Sequence, residues 1–216
     1  MAEIRIAVTL IEDRGIPVRG NDIDTDRIIP ARFMKCVTFD GLGAYAFYDV
    51  RFEADGRPKD HPCNESDYAG AGLLVVHKHF GCGSSREHAP QALQKFGVRA
   101  IIGESFAEIF AGNCTAMGIP AVRAASANVE ALQALIEMDP GTQLSIDLVN
   151  GRITACPSGA ALDGSRAGCM SFALDMPQAF RNSLVDGSWD STGVLAENDA
   201  LISATAARLP YVTGYA

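Results

Sequence analysis

At the usual ~150 residues per domain, a chain of 216 residues makes one to two domains and can bury a core without help from metals or disulfides. Hydrophobic residues at 48% and charged residues at 20% exclude a disordered, collagenous or coiled-coil protein. With 18 Lys+Arg against 26 Asp+Glu the net charge is −8, which argues against bulk contact with nucleic acid or an anionic membrane and leaves room for a small anion held by a few concentrated cations.

The first 15 residues mix acids into an apolar stretch too short for a signal-peptide core, and no run of about 18 apolar residues follows, so a cytoplasmic location is expected. Six cysteines, at 36, 63, 82, 114, 156 and 169, include no C-x-x-C pair. They are expected to be free thiols in a reducing compartment and to bind no metal by themselves. The N-x-S/T triplets at Asn64 and Asn113 then read as chance matches.

Residues 53–71 are rich in turn formers and read as a long exposed excursion, with His61 solvated within it. The unbroken apolar run 73–76 predicts a strand buried on both faces. Residues 84–96 have helical composition, with Gly97 where a C-cap belongs, and 98–102 form the next strand. Strand, helix and strand make one βαβ unit, which favours a right-handed parallel pair and an α/β core. A second helix over 105–117, a strand at 121–122 and a helix over 128–138 follow, the last stopped by Asp139-Pro140-Gly141. Leu144, Ile146 and Leu148 alternate with polar residues up to Asn150-Gly151, which predicts a hairpin with a type I′ turn. Residues 156–168 read as irregular, 177–184 and 198–208 as helical. With no repeat and no linker, 1–216 is expected to be one domain with a C-terminal extension from about 156 to 216.

The densest reactive cluster is FGCGSSREHAP, residues 80–90, between a buried strand and a helix. Open α/β sheets bind ligands beyond the carboxyl ends of their strands, where helix N-termini offer unpaired N–H groups to anions. Gly81 and Gly83 allow close backbone approach, and Arg86 adds a planar cation suited to a carboxylate. Ser84-Ser85-Arg86-Glu87 also matches a capping box with Ser84 as N-cap, a purely structural alternative. The corner lacks both the Walker-type phosphate loop and the hydrolase nucleophile elbow. A second cluster, NDIDTDRIIPAR at 21–32, alternates three acids before two arginines, but Arg27 and Phe33 occupy the places an EF-hand gives to glycine and glutamate. A turn whose acids accept from neighbouring N–H groups is the simpler reading of it. His77 and His79 share a strand face without a third metal ligand and suit a packed or hydrogen-bonded role.

Together, residues 21–33, the corner 81–90 and ESFAEIFAGNCTAMGIP at 104–120 closely resemble the 3-isopropylmalate dehydratase small subunits, a branch of the aconitase superfamily. The resemblance runs from about residue 4 to at least Val122. It implies a three-layer β/β/α swivelling domain, a mixed and largely parallel sheet with flanking helices. It also implies a large partner subunit that holds a 4Fe-4S cluster through its own cysteines, and isomerisation of 2-isopropylmalate to 3-isopropylmalate in leucine biosynthesis. By the same resemblance Ser84 is the catalytic base, Asp26 an active-site aspartate, and Arg86 both catalytic and, with Ser85 and Gly83, a contact of the substrate carboxylate. The resemblance also implies that specificity lies in the loop 36–47, where Val37, Phe39 and Leu42 suit an apolar side chain and no arginine awaits a third carboxylate. Core packing explains those three equally well. The sequence departs from the family pattern at Val50, where tryptophan often precedes Arg51, and over 156–168. Other dehydrations therefore remain open, of another 2-alkylmalate, a homoaconitate-type acid or citraconate, as does a non-catalytic anion-binding module.

Overall fold

The computed structural model describes residues 6–35, 38–84, 87–159 and 168–212. Seven strands form one sheet in the order β4-β3-β2-β1-β5-β6-β7, with β1 Leu10–Val18, β2 Leu73–Val76, β3 Ala100–Gly103, β4 Ala121–Arg123, β5 Gln143–Asp147, β6 Arg152–Cys156 and β7 Met170–Ala173. Strands β1 to β4 run parallel and β5 to β7 antiparallel, so the α/β class and the mixed sheet hold. The apolar runs at 73–76 and 100–102 are fully buried, as parallel strands covered on both faces must be.

Strand β1 joins the two halves. Its residues 15–18 pair with β2, while its residues 10–14 pair with β5 on the other side. At the handover stands Gly15, where a Cβ would come within 2.5 Å of the Ile136 side chain. The helix carrying Ile136, α5 (Ser126–Met138), lies across β1 and β2, and only glycine lets it come this close. No predicted element covers β1. Its mid-strand charges break the alternation, yet two of the three are used: Arg14 donates to the carbonyls of Asp67 and Ala69, and Asp13 accepts from Arg99 at 3.1 Å, while Glu12 is exposed.

Among the described residues six helices complete the layers and the tail, with α5 already placed. These are α3 (His88–Phe96), α4 (Glu108–Ala116), α6 (Gln178–Asp186), α7 (Ser191–Ala196) and α8 (Asp199–Ala206), while the loop region holds the single turns α1 (Thr25–Ile28) and α2 (Tyr48–Arg51) beside them. Gly97 ends α3 with φ +114, as its C-cap position predicts.

Four expectations change. The hairpin at 147–152 closes on the pair Asp147↔Arg152, leaving a four-residue loop in which the Asp147 carboxylate accepts from the Asn150 N–H, and only Gly151 of the central pair has positive φ. A type I′ turn needs both. Strand β7 pairs Met170 with Ala155, which sets Cys156 opposite Cys169, and these two form a disulfide rather than free thiols. His61 is half-buried instead of solvated: its Nδ1 accepts from the Cys63 N–H, and burial together with the Arg51 charge lowers its pKa to about 4. Helix α3 begins at His88 with Glu87 at its N-cap and no cap hydrogen bond from the Glu87 side chain, so the helix does not start from Ser84 as the capping box requires.

Candidate active-site corner

The carboxyl ends of β1 and β2 lead into two loops that lie side by side. Gly81 N–H donates to the Ile23 carbonyl at 2.8 Å, Thr25 N–H to the Cys82 carbonyl at 2.8 Å, and Asp24 and Cys82 form a parallel bridge. Higher up, Asp22 N–H donates to the Lys78 carbonyl at 3.1 Å, and the Asp22 carboxylate meets His79 Nδ1 at 2.9 Å. Two motifs more than 50 residues apart in sequence thus become one surface. Within it Asp24 caps α1 by accepting from the Arg27 N–H at 2.7 Å, which is the bland role read for those acids.

The corner turns where only glycine fits. Gly81 has φ +77, and a Cβ there would lie 2.2 Å from the Phe110 ring, which packs edge-to-face on Phe80. A parallel bridge from Phe80 to Phe106 fastens the same point to the segment entering α4. The turn is therefore rooted in the core on one side and in the 21–28 loop on the other.

Against this frame Ser84, Gly83 and Asp26 are all exposed. Thr25, next to Asp26, donates its hydroxyl proton to the Ser84 carbonyl at 2.9 Å, so the structure brings Asp26 and Ser84 to one edge. Phe39 packs edge-on against His88 in the first turn of α3, with ring centroids 5.3 Å apart, and so stands beside the corner. Leu42 is buried beneath that surface, under the turn 42–45 that packs on α3. Val37, Ser85 and Arg86 lie outside the described residues.

Sequence reasoning missed Thr25 here, and it read His77 as hydrogen-bonded without finding its partner. Thr25, inside the D-T-D motif, is the residue that reaches Ser84. His77, at the end of β2, bonds Glu104 at the end of β3 at 2.8 Å. Burial pushes the Glu104 carboxyl up, but hydrogen bonds from His77 and Ser126 outweigh it and hold the group below its ordinary range.

The local charge is instructive. Partial burial and the carboxylates of Asp24 and Asp22 push the Cys82 thiol up, which disfavours the thiolate. Burial does the same to Cys63, up to about 12, and to Cys114. Among the described residues no group of three or more His, Cys, Asp or Glu is placed to hold a metal, and the cysteines at 63, 82 and 114 lie apart on different elements. What the described corner presents is an exposed serine beside an exposed aspartate on a turn fixed from two sides.

The aconitase C-terminal domain family matches residues 9–127, which contain both loops of the corner. A 3-isopropylmalate dehydratase small subunit of Synechocystis is 47% identical over 205 residues, covering 95% of this chain and 95% of the relative. The corresponding small subunit of Thermus thermophilus is 47% identical over 203 residues, covering 94% and 95%. The crystal structure of a 3-isopropylmalate dehydratase from Methanocaldococcus jannaschii superposes with a TM-score of 0.61 over 91% of this chain and 99% of that one, and at 22% identity it speaks for the fold alone. With both the ordered motifs and the full-length likeness in place, the chain belongs to the 3-isopropylmalate dehydratase small subunits of the aconitase family.

Proposed function

We propose that this chain interconverts 2-isopropylmalate and 3-isopropylmalate by removing and re-adding water, as the cytoplasmic small subunit of an enzyme whose large subunit carries a 4Fe-4S cluster. The observation that carries the reading is an exposed Ser84 on a turn locked to the loop that bears Asp26. An exposed hydroxyl on a rigid edge suits proton transfer to and from a substrate carbon, because the barrier falls when the reacting groups are held in place. Gly83, Ser85 and Arg86 are assigned to a substrate carboxylate, the last by its bidentate fork. Val37 and Phe39 are assigned to the isopropyl group, with Leu42 supporting their loop from below. When bound, the partner's cluster would supply a Lewis acid for the leaving hydroxyl.

A serine alkoxide needs positive surroundings, since the hydroxyl is a very weak acid. At Cys82, in the described part of the corner, Asp24 and Asp22 outweigh Arg27 and raise the thiol. Activation therefore falls to Arg86 and to charge brought by the large subunit, and the isolated chain is expected to be inert.

The test is reconstitution with an anaerobically prepared iron-sulfur large subunit, using 2-isopropylmalate, 2-methylmalate, citraconate and citrate-type acids as substrates. The expected result is no turnover by the chain alone, and turnover in the complex with kcat/KM for 2-isopropylmalate at least about 10-fold above that for 2-methylmalate, as a lost apolar contact gives. Faster turnover of a tricarboxylic acid would move the enzyme to the homoaconitate-type reaction. Specific binding of these acids without any turnover would make the chain an anion-binding module.

A further inference from the structure

We propose that the buried Thr25 hydroxyl is a positioning group for Ser84, a strut that fixes the serine for proton abstraction; the inference rests on the proposed role of Ser84. Thr25 is only 2% exposed. A hydroxyl in such a place must find a partner, and this one donates to the Ser84 carbonyl at 2.9 Å, across 59 residues of sequence. Its own N–H is committed as well, to the Cys82 carbonyl at 2.8 Å. One residue thus grips the corner twice, on either side of Gly83.

The second grip matters because of what lies between. Among the described residues the last backbone bond between the two loops is at Cys82, and Gly83 follows with φ +91, a residue whose backbone is free to take many conformations. Ser84 lies one residue past that freely rotating glycine. The Thr25 hydroxyl extends the grip past the glycine to the residue that does the chemistry, and it does so from inside the protein, where water competes least. Its position one residue before Asp26 also fixes the spacing of the two exposed groups along this edge. Threonine is needed for its proton: valine has the same shape and would fill the same space, but would set a methyl group against a carbonyl.

Thr25→Val in the complex with the large subunit, beside Thr25→Ser, is the test. The expected result is a kcat about 10- to 100-fold lower for Thr25→Val, as a small misplacement of a reacting group gives, with KM unchanged within about threefold. Thr25→Ser, which keeps the donor, should recover most of the lost rate. A second readout needs no turnover. Ser84-Ser85 is the sole Ser-Ser pair in the sequence, so protein labelled with 13C-carbonyl and 15N serine gives one amide peak correlated to the Ser84 carbonyl. That carbon should move upfield in Thr25→Val and return in Thr25→Ser. A shifted carbonyl with undiminished kcat would overturn the proposal. So would an unshifted carbonyl, or equal losses in both variants that track a lowered melting temperature. If the wild-type complex turned over none of the acids, the function proposed for Ser84 would fail instead, and the carbonyl peak would still report whether the strut exists.

Discussion

The corner at 78–84 and the helices over 191–206 both expose side chains, and they do so in opposite ways. At the corner, exposed Ser84 and Gly83 are rooted by buried Phe80 and Thr25 and by hydrogen bonds to a loop more than 50 residues away. In α7 and α8, Leu195, Leu201 and Ile202 are exposed at 67%, 67% and 49%, and no described residue from 191 to 212 is buried. Eight-residue helices are marginal by themselves, and α8 buries no residue against the rest of the described chain to offset that. Exposure at the first place is an achievement of packing; at the second it is the lack of packing. Chemistry that needs fixed geometry belongs to the first.

Paired truncations measure that contrast. Leu74→Ala in β2 is expected to lower the unfolding free energy by about 2–5 kcal/mol, and Leu201→Ala in α8 by less than about 0.5 kcal/mol. Urea denaturation reads both, and equal losses would mean that α8 is packed after all. Gly81→Ala strikes the root of the corner, combining a left-handed φ with a clash against Phe110, and should cost about 1–3 kcal/mol in the same assay. A cost near zero would show the turn to be slack.

The excursion at 53–71 supplies a pH-dependent case. Burial and the Arg51 charge lower His61 from 6.5 to about 4, so between those values the unfolded chain binds more protons than the folded one. The stability that His61 contributes is complete above about 6.5, is lost as pH falls towards 4, and changes no further below that. After allowance for solvent the loss should be on the order of 1 kcal/mol, and His61→Gln should remove this part of the pH dependence. If wild type and variant gave parallel stability curves over that window, the buried neutral imidazole would be wrong. Smallest of all is the Asp22–His79 pair, exposed at 63% and 59%. Asp22→Asn should change stability by less than about 0.5 kcal/mol, and the little it does change should vanish in high salt.

The helices α4 and α5 and the strands β2 and β3 were legible because each buries a regular pattern of its own. Strand β1 was not, because its charges are satisfied by partners at 67, 69 and 99 that no local window contains. The Asn150-Gly151 pair marked a turn correctly and its type wrongly, since the Asp147 side chain competes for the Asn150 N–H. The Cys156–Cys169 disulfide depends on the register of β7, a four-residue strand with weak alternation. At the corner the reactive residue types were readable one motif at a time. That Thr25 would hold Ser84 was not, because a hydrogen bond between distant loops leaves no spacing in the sequence.

Ser84→Ala, assayed for both turnover and stability with the large subunit bound, addresses the proposed chemistry most directly. If Ser84 is the base, kcat should fall by about 10²- to 10⁴-fold while complex formation is retained, and the start of α3 at Glu87 is left in place. Preserved turnover accompanied by a stability loss of about 1 kcal/mol, as a lost cap would give, would contradict it.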